Sequence, residues 1–251
     1  MRRLKYIGLI LLLSGALSNL PASLIPSGTL DISGTGLGAA NTVLTWDSPG
    51  SALLESGCVS WSGTVDVKGA AACPGGIAGG DESLSKTQTR TFSETGLTGA
   101  GLFASAYSIV VVFNASEPDD NITLRNLVMT IYAPDSTVLF TSGAFTLQDV
   151  TGATGGTGSS GLSFKLDIAQ QFAANSAAFG TNFNLLNRIG IASTAGCTLA
   201  PCDVAGQYSA TGGHETIFVF AVPIPEPASF FTLGSGLILV AALLRRRLRK
   251  A

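Results

Sequence analysis

Along most of this chain, short runs of β-forming residues are separated by clusters of Gly, Ser, Asn, Asp and Pro at modest spacing, as in an all-β sandwich or barrel. The pattern predicts strands at 42–46, 59–67, 84–92, 107–114, 122–132, 137–141, 162–167, 188–192 and 216–222. In 59–67 and 84–92 polar residues occupy every second place, which predicts strands with one face in water. Ile109 to Phe113 and Ile217 to Ala221 are apolar throughout and should lie centrally. The expected fold is therefore an antiparallel, jelly-roll-like β-sandwich.

One segment departs from period two. Residues 167–179 are rich in Ala and Gln, with Ile168 and Phe172 four apart as an apolar stripe and Asp167 placed to cap the N-terminus, so one short helix is expected there. Tyr132-Ala-Pro134-Asp135-Ser-Thr-Val138 reads as a hairpin turn with Pro134 at the first central position. Gly156-Thr-Gly158-Ser-Ser-Gly161 has the spelling of a dinucleotide-binding loop. That chemistry needs a helix next, to present its N-terminal N–H groups to the pyrophosphate, whereas 162–167 reads as a strand.

The two ends have a different grammar. Arg2, Arg3 and Lys5 precede the apolar run 7–17, followed by small residues, the layout of a secretory signal peptide within residues 1–22. Ala16 and Ser18 at −3 and −1 favour cleavage after Ser18, with cleavage after Ala22 as the alternative. This leaves an ectodomain at 23–221. Residues 222–251 contain the stiff Pro225-Glu226-Pro227, an uncharged apolar stretch at 228–244, and the bases Arg245, Arg246, Arg247, Arg249 and Lys250. Seventeen residues give about 26 Å of helix, the short end of what spans a bilayer, and the basic cluster then stays cytoplasmic.

This three-part arrangement closely resembles the PEP-CTERM sorting signal. The resemblance implies that an exosortase, a membrane-embedded transpeptidase-like enzyme, recognises and cuts the chain near Pro225-Glu226-Pro227 and delivers it to the cell surface or extracellular space. It further implies single-pass anchoring in the inner membrane before processing, and a setting of Gram-negative bacteria that make extracellular polysaccharide. Ile224-Pro225 departs from the commoner Val-Pro-Glu-Pro start. The order of segments from Asn121-Ile-Thr-Leu-Arg-Asn-Leu127 to Gly213-His214-Glu215 also resembles the β-rich bodies of that family, which implies no particular activity.

Charge sharpens the division. The net formal charge is −2, yet eight of the 14 basic residues lie in the two end segments, and between residues 23 and 224 six bases face 15 acids, a net −9. So acidic a body offers no electrostatic footprint for a phosphate backbone, which argues against nucleic-acid binding. Charged residues are only 12% of the chain and 31 residues are Gly, a turn-rich composition unlike a helical bundle.

Cys58, Cys73, Cys197 and Cys202 all lie in the exported body, where disulfides are the default. Of three connectivities, Cys58 with Cys73 and Cys197 with Cys202 closes the shortest loops. The spacings do not supply the close Cys pairs of a zinc site.

Other chemistry is sparse. The single histidine, His214, has no Gly-x-Ser-x-Gly elbow to serve, and reads as a loop residue before the last strand. Glu117, Asp119 and Asp120 cluster in a turn, a weak Ca²⁺ candidate without EF-hand spacing. Asn114-Ala-Ser116 and Asn121-Ile-Thr123 spell glycosylation acceptors and read as chance. No cofactor is implied. The expected role is non-catalytic, at the cell surface or in the extracellular polysaccharide matrix. One alternative is a carbohydrate-binding module or adhesin, which would need Trp46, Trp61 or a Tyr exposed. Another is a secreted hydrolase using two carboxylates across a cleft.

Overall fold

The computed structural model of the chain describes residues 24–31, 41–46, 53–74, 76–98, 106–115, 121–151, 160–198, 202, 207–210 and 214–222. The strands are β1 (Leu24–Asp31), β2 (Thr42–Thr45), β3 (Leu54–Trp61), β4 (Asp66–Lys68), β5 (Arg90–Thr91), β6 (Ile109–Asn114), β7 (Asn121–Tyr132), β8 (Val138–Thr141), β9 (Gln148–Thr151), β10 (Ser160–Leu166), β11 (Arg188–Gly196) and β12 (Thr216–Ala221). All ladders are antiparallel. They form a sheet in the order β1-β10-β6-β12-β2 and a second in the order β4-β3-β11-β7-β8, with β5 on β11 and β9 on β7.

The chain crosses between sheets at β2 to β3, β5 to β6, β6 to β7, β9 to β10, β10 to β11 and β11 to β12, a jelly-roll-like course. Between the sheets lies one core. Val43, Leu44, Val111, Phe113, Phe164, Ile217 and Val219 come from the first sheet and Val59, Ile122, Leu124, Leu127, Met129, Ile131, Ile189 and Ile191 from the second. Trp46 is fully buried and meets Phe113 edge-on, ring centroids 5.8 Å apart. Gly57 on β3 makes room for it, because a Cβ there would stand 2.9 Å from the indole Nε1.

The two continuously apolar runs became neighbouring inner strands, β6 and β12. Their alternate residues explain the lack of alternation. Val111, Phe113, Ile217 and Val219 enter the core, while Val110, Val112 and Phe218 form a buried cluster of their own.

Several sequence expectations need correction. Residues 59–67 are not one strand: β3 ends at Trp61, the chain turns through Gly63 at φ 94°, and β4 returns beside it. Of 84–92 only β5 pairs in a ladder, and the rest is held by separate backbone and side-chain hydrogen bonds. Strands β1 and β9 were not anticipated. In β1, Pro26 and Gly28 flank a bulge, which hides a strand from any test of alternation.

The expected helix is present as α1 (Ile168–Ala174), continued by a π turn (Asn175–Phe179). Asp167 caps it, accepting from Gln170 N–H at 2.9 Å. The stripe is not where the pattern put it. Ala174 and Ala178 are the buried residues, and Ile168 and Phe172 face outward. The 132–138 turn forms as read, with Ser136 N–H donating to Ala133 C=O at 3.1 Å across Pro134 and Asp135.

Candidate functional site

The residues that carry the sorting resemblance, Pro225, Glu226, Pro227 and the bases Arg245, Arg246, Arg247, Arg249 and Lys250, lie outside the described residues, as do residues 1–22, where a signal peptide is expected, and residues 228–244. Among the described residues, no helix is long and apolar enough to cross a membrane. What the fold does define is the geometry upstream of the motif. β12 lies between β6 and β2, with Ile217 and Val219 in the core, and ends at Ala221. Ala221 N–H donates to Thr95 C=O at 2.8 Å. The motif thus begins only four residues beyond a strand fixed on both sides.

The four cysteines are joined as Cys58–Cys73 and Cys197–Cys202, with Cα separations of 5.2 and 5.5 Å. The first bond holds the 69–80 excursion on the outer face of β3 and β11, where Cys58, Ile77 and Ala192 are buried together. Both bonds point to an extracellular or otherwise oxidising environment.

Each remaining candidate can be placed. Glu117, Asp119 and Asp120 lie outside the described residues, and among those described no group of three or more His, Cys, Asp or Glu is placed to hold a metal ion. His214 sits before β12 with its Nδ1 3.2 Å from Trp46 C=O. The Gly156–Gly161 motif runs into strand β10, not a helix. Gly161 has a packing reason, since a Cβ there would lie 2.4 Å from Phe113 O on β6. Of the two glycosylation spellings, Asn114 is buried and Asn121 is partly exposed at the start of β7, where Thr123 Oγ1 donates to Asp149 at 2.8 Å while accepting from Tyr208 N–H at 2.7 Å.

The two tryptophans bear on the carbohydrate alternative. Trp46 is a core residue. Trp61 is half-buried, its Nε1 donates to Pro134 C=O at 2.9 Å, and the Arg188 guanidinium lies 4.0 Å from the ring centroid. A sugar platform needs an open ring face, and here one is taken. Of the carboxylates in the body, Glu55, Glu82 and Glu215 are buried within the fold.

Sequence reasoning missed the main polar network. Arg188 Nη1 donates to Thr89 Oγ1 at 3.0 Å, and Thr89 in turn donates to Asp66 Oδ1 from its hydroxyl at 2.5 Å and its N–H at 3.1 Å. Nearby, Thr91 and Glu94 form a reciprocal box: Thr91 N–H donates to Glu94 Oε2 at 2.7 Å, and Glu94 N–H to Thr91 Oγ1 at 3.1 Å. Thr91-Phe-Ser-Glu94 spells that box in the sequence and was the available signal. These bonds tie β4 and β5 to the start of β11, so the array works as a clamp on one end of the sandwich.

No protein-family model matches the chain, and no curated protein or solved structure shows significant similarity to it.

Proposed function

We propose that the protein is an exported, non-catalytic β-sandwich that is held by residues 228–244, processed by an exosortase at Pro225-Glu226-Pro227, and placed at the cell surface or in the extracellular polysaccharide matrix. The observation that carries this reading is the order of motif, apolar stretch and basic cluster at 225–250. Two disulfides in the body support export, because such bonds persist only where thiols are not kept reduced. The motif acts as substrate in this reading: it is recognised and cut and catalyses nothing.

Intact-mass measurement of the protein from an exosortase-bearing Gram-negative host tests it. The expected species lacks the residues beyond the motif. Replacing Pro225, Glu226 and Pro227 by alanine should shift the protein from the released to the membrane fraction, and persistence of an intact 228–251 tail on the wild-type chain would refute the processing.

A further inference from the structure

We infer that the end of the sandwich where β12 terminates rests on the lipid bilayer, with Ile168, Phe172, Leu185 and Leu186 entering its interfacial layer; this rests on the membrane-held reading proposed above. The hydrogen bonds bring these side chains to one end. Ala221, the last residue of β12, pairs with Ile109 and donates to Thr95. In the turn that holds Thr95, Phe92 N–H donates to Asn187 C=O at 2.8 Å and Ser93 N–H to Leu185 C=O at 3.1 Å. Tyr107, two residues before Ile109, has its ring 6.1 Å from that of Phe172, and Ala106 N–H donates to Asn175 Oδ1 on the π turn. Helix α1 and the 183–187 loop therefore lie at the same end of the sandwich as the point at which the chain leaves β12.

The side chains presented there are out of keeping with a water-facing end. Ile168 is 70% exposed, Phe172 63%, Leu186 59% and Leu185 43%. Single exposed apolar residues are ordinary, but several large ones gathered on one end mark a contact surface. The inward side of α1 is already filled by Ala174, and the π turn buries Ala178, so Ile168 and Phe172 have no place in the core.

What covers them follows from where the chain goes next. Only residues 223–227 separate Val222 from the apolar stretch 228–244. Five residues reach at most about 17 Å when fully extended. With 228–244 in the bilayer, this end of the body cannot stand further than that from its surface. An apolar helix face seats about 5–10 Å into the head-group boundary. A polysaccharide would not select aliphatic side chains, and two bodies each near −9 repel one another.

The test uses the full chain in phosphatidylcholine vesicles, body outward, with acyl chains brominated near the head group. Phe172→Trp and Leu186→Trp report on the proposed contact. Leu84→Trp is the control: Leu84 is 74% exposed but follows Ser83, which bonds to Thr45 beside the start of β12. After subtraction of the parent emission from Trp46 and Trp61, bromine should quench the added emission of the first two variants and leave the third unchanged. Melting temperatures equal to the parent show that each variant folds. If Phe172→Trp stays unquenched while the 245–250 cluster is protected from trypsin, the contact is refuted and the anchoring stands. If trypsin removes that cluster, both fall. Unquenched, blue-shifted emission with cross-linking between chains would assign the surface to a second copy and overturn the proposal.

Discussion

Glu94 shows how much one side chain can gather. Partial burial raises the pKa of its carboxyl, but hydrogen bonds from Thr91 and the nearby Arg90 and Arg188 guanidinium groups outweigh this and hold it below the ordinary glutamate value. Arg90 Nη1 lies 3.4 Å from its Oε1. A lowered folded-state pKa means that the charged form stabilises the fold above the unfolded value, near pH 4.3, and that this contribution is lost as pH falls through the folded value. The advantage of the parent over Glu94→Gln in urea unfolding should therefore be full at neutral pH and shrink in acid; a difference constant with pH would refute the charge-based account. Ser136 gives a second test at this scale. It adopts φ 76° in the β7–β8 turn, a conformation that L side chains resist and glycine accepts. Ser136→Gly should raise stability by roughly 0.5 kcal/mol, relief of the backbone clash being partly offset by the greater chain entropy of glycine.

At the scale of elements, the sequence carried the strands whose local pattern matched their final surroundings. β2, β6, β7, β8, β10 and β12 fall within a few residues of expectation, because their β-branched and aromatic residues pack on one core. The failures share a cause. In 59–67 alternation runs unbroken through a reversal at Gly63, so period two cannot distinguish one long strand from a tight hairpin. In 84–92 Thr87 and Thr89 bond to the Thr45 backbone and to Asp66, and only Arg90 and Thr91 join a ladder. Helix α1 was legible in its cap but not in its orientation, since spacing of four marks an apolar stripe without saying what faces it. The cap itself is testable. A seven-residue helix is too short to stand by propensity, and Asp167→Ala should cost about 1 kcal/mol in chemical unfolding. Equal stability of parent and variant would show that packing alone holds α1.

At the scale of the whole molecule, the sorting signal proposed at 225–250 rests on linear order alone, which a sequence displays without any fold. The clamp of Trp61, Arg188, Thr89 and Asp66 was not legible in this way, because its members come together from four stretches of chain only after the sheets form. The disulfides stand between these cases: the sequence left three pairings open, and the fold joins near neighbours in the chain. That choice sets how stability divides. A chord across about 15 residues contributes about 3 kcal/mol by loop-closure entropy and one across about five contributes about 2. The first also anchors the 69–80 excursion, whose main apolar contacts are the small cluster around Cys58, Ile77 and Ala192. Replacing Cys58 and Cys73 by serine should therefore both lower the unfolding free energy by about 3 kcal/mol and open 69–80 to limited proteolysis under native conditions. Replacing Cys197 and Cys202 should give the smaller loss and leave that excursion protected. If both double variants lose the same stability and neither is cut within 69–80, then the cluster holds the excursion without the bond, and the second face of β3 and β11 is covered by packing alone.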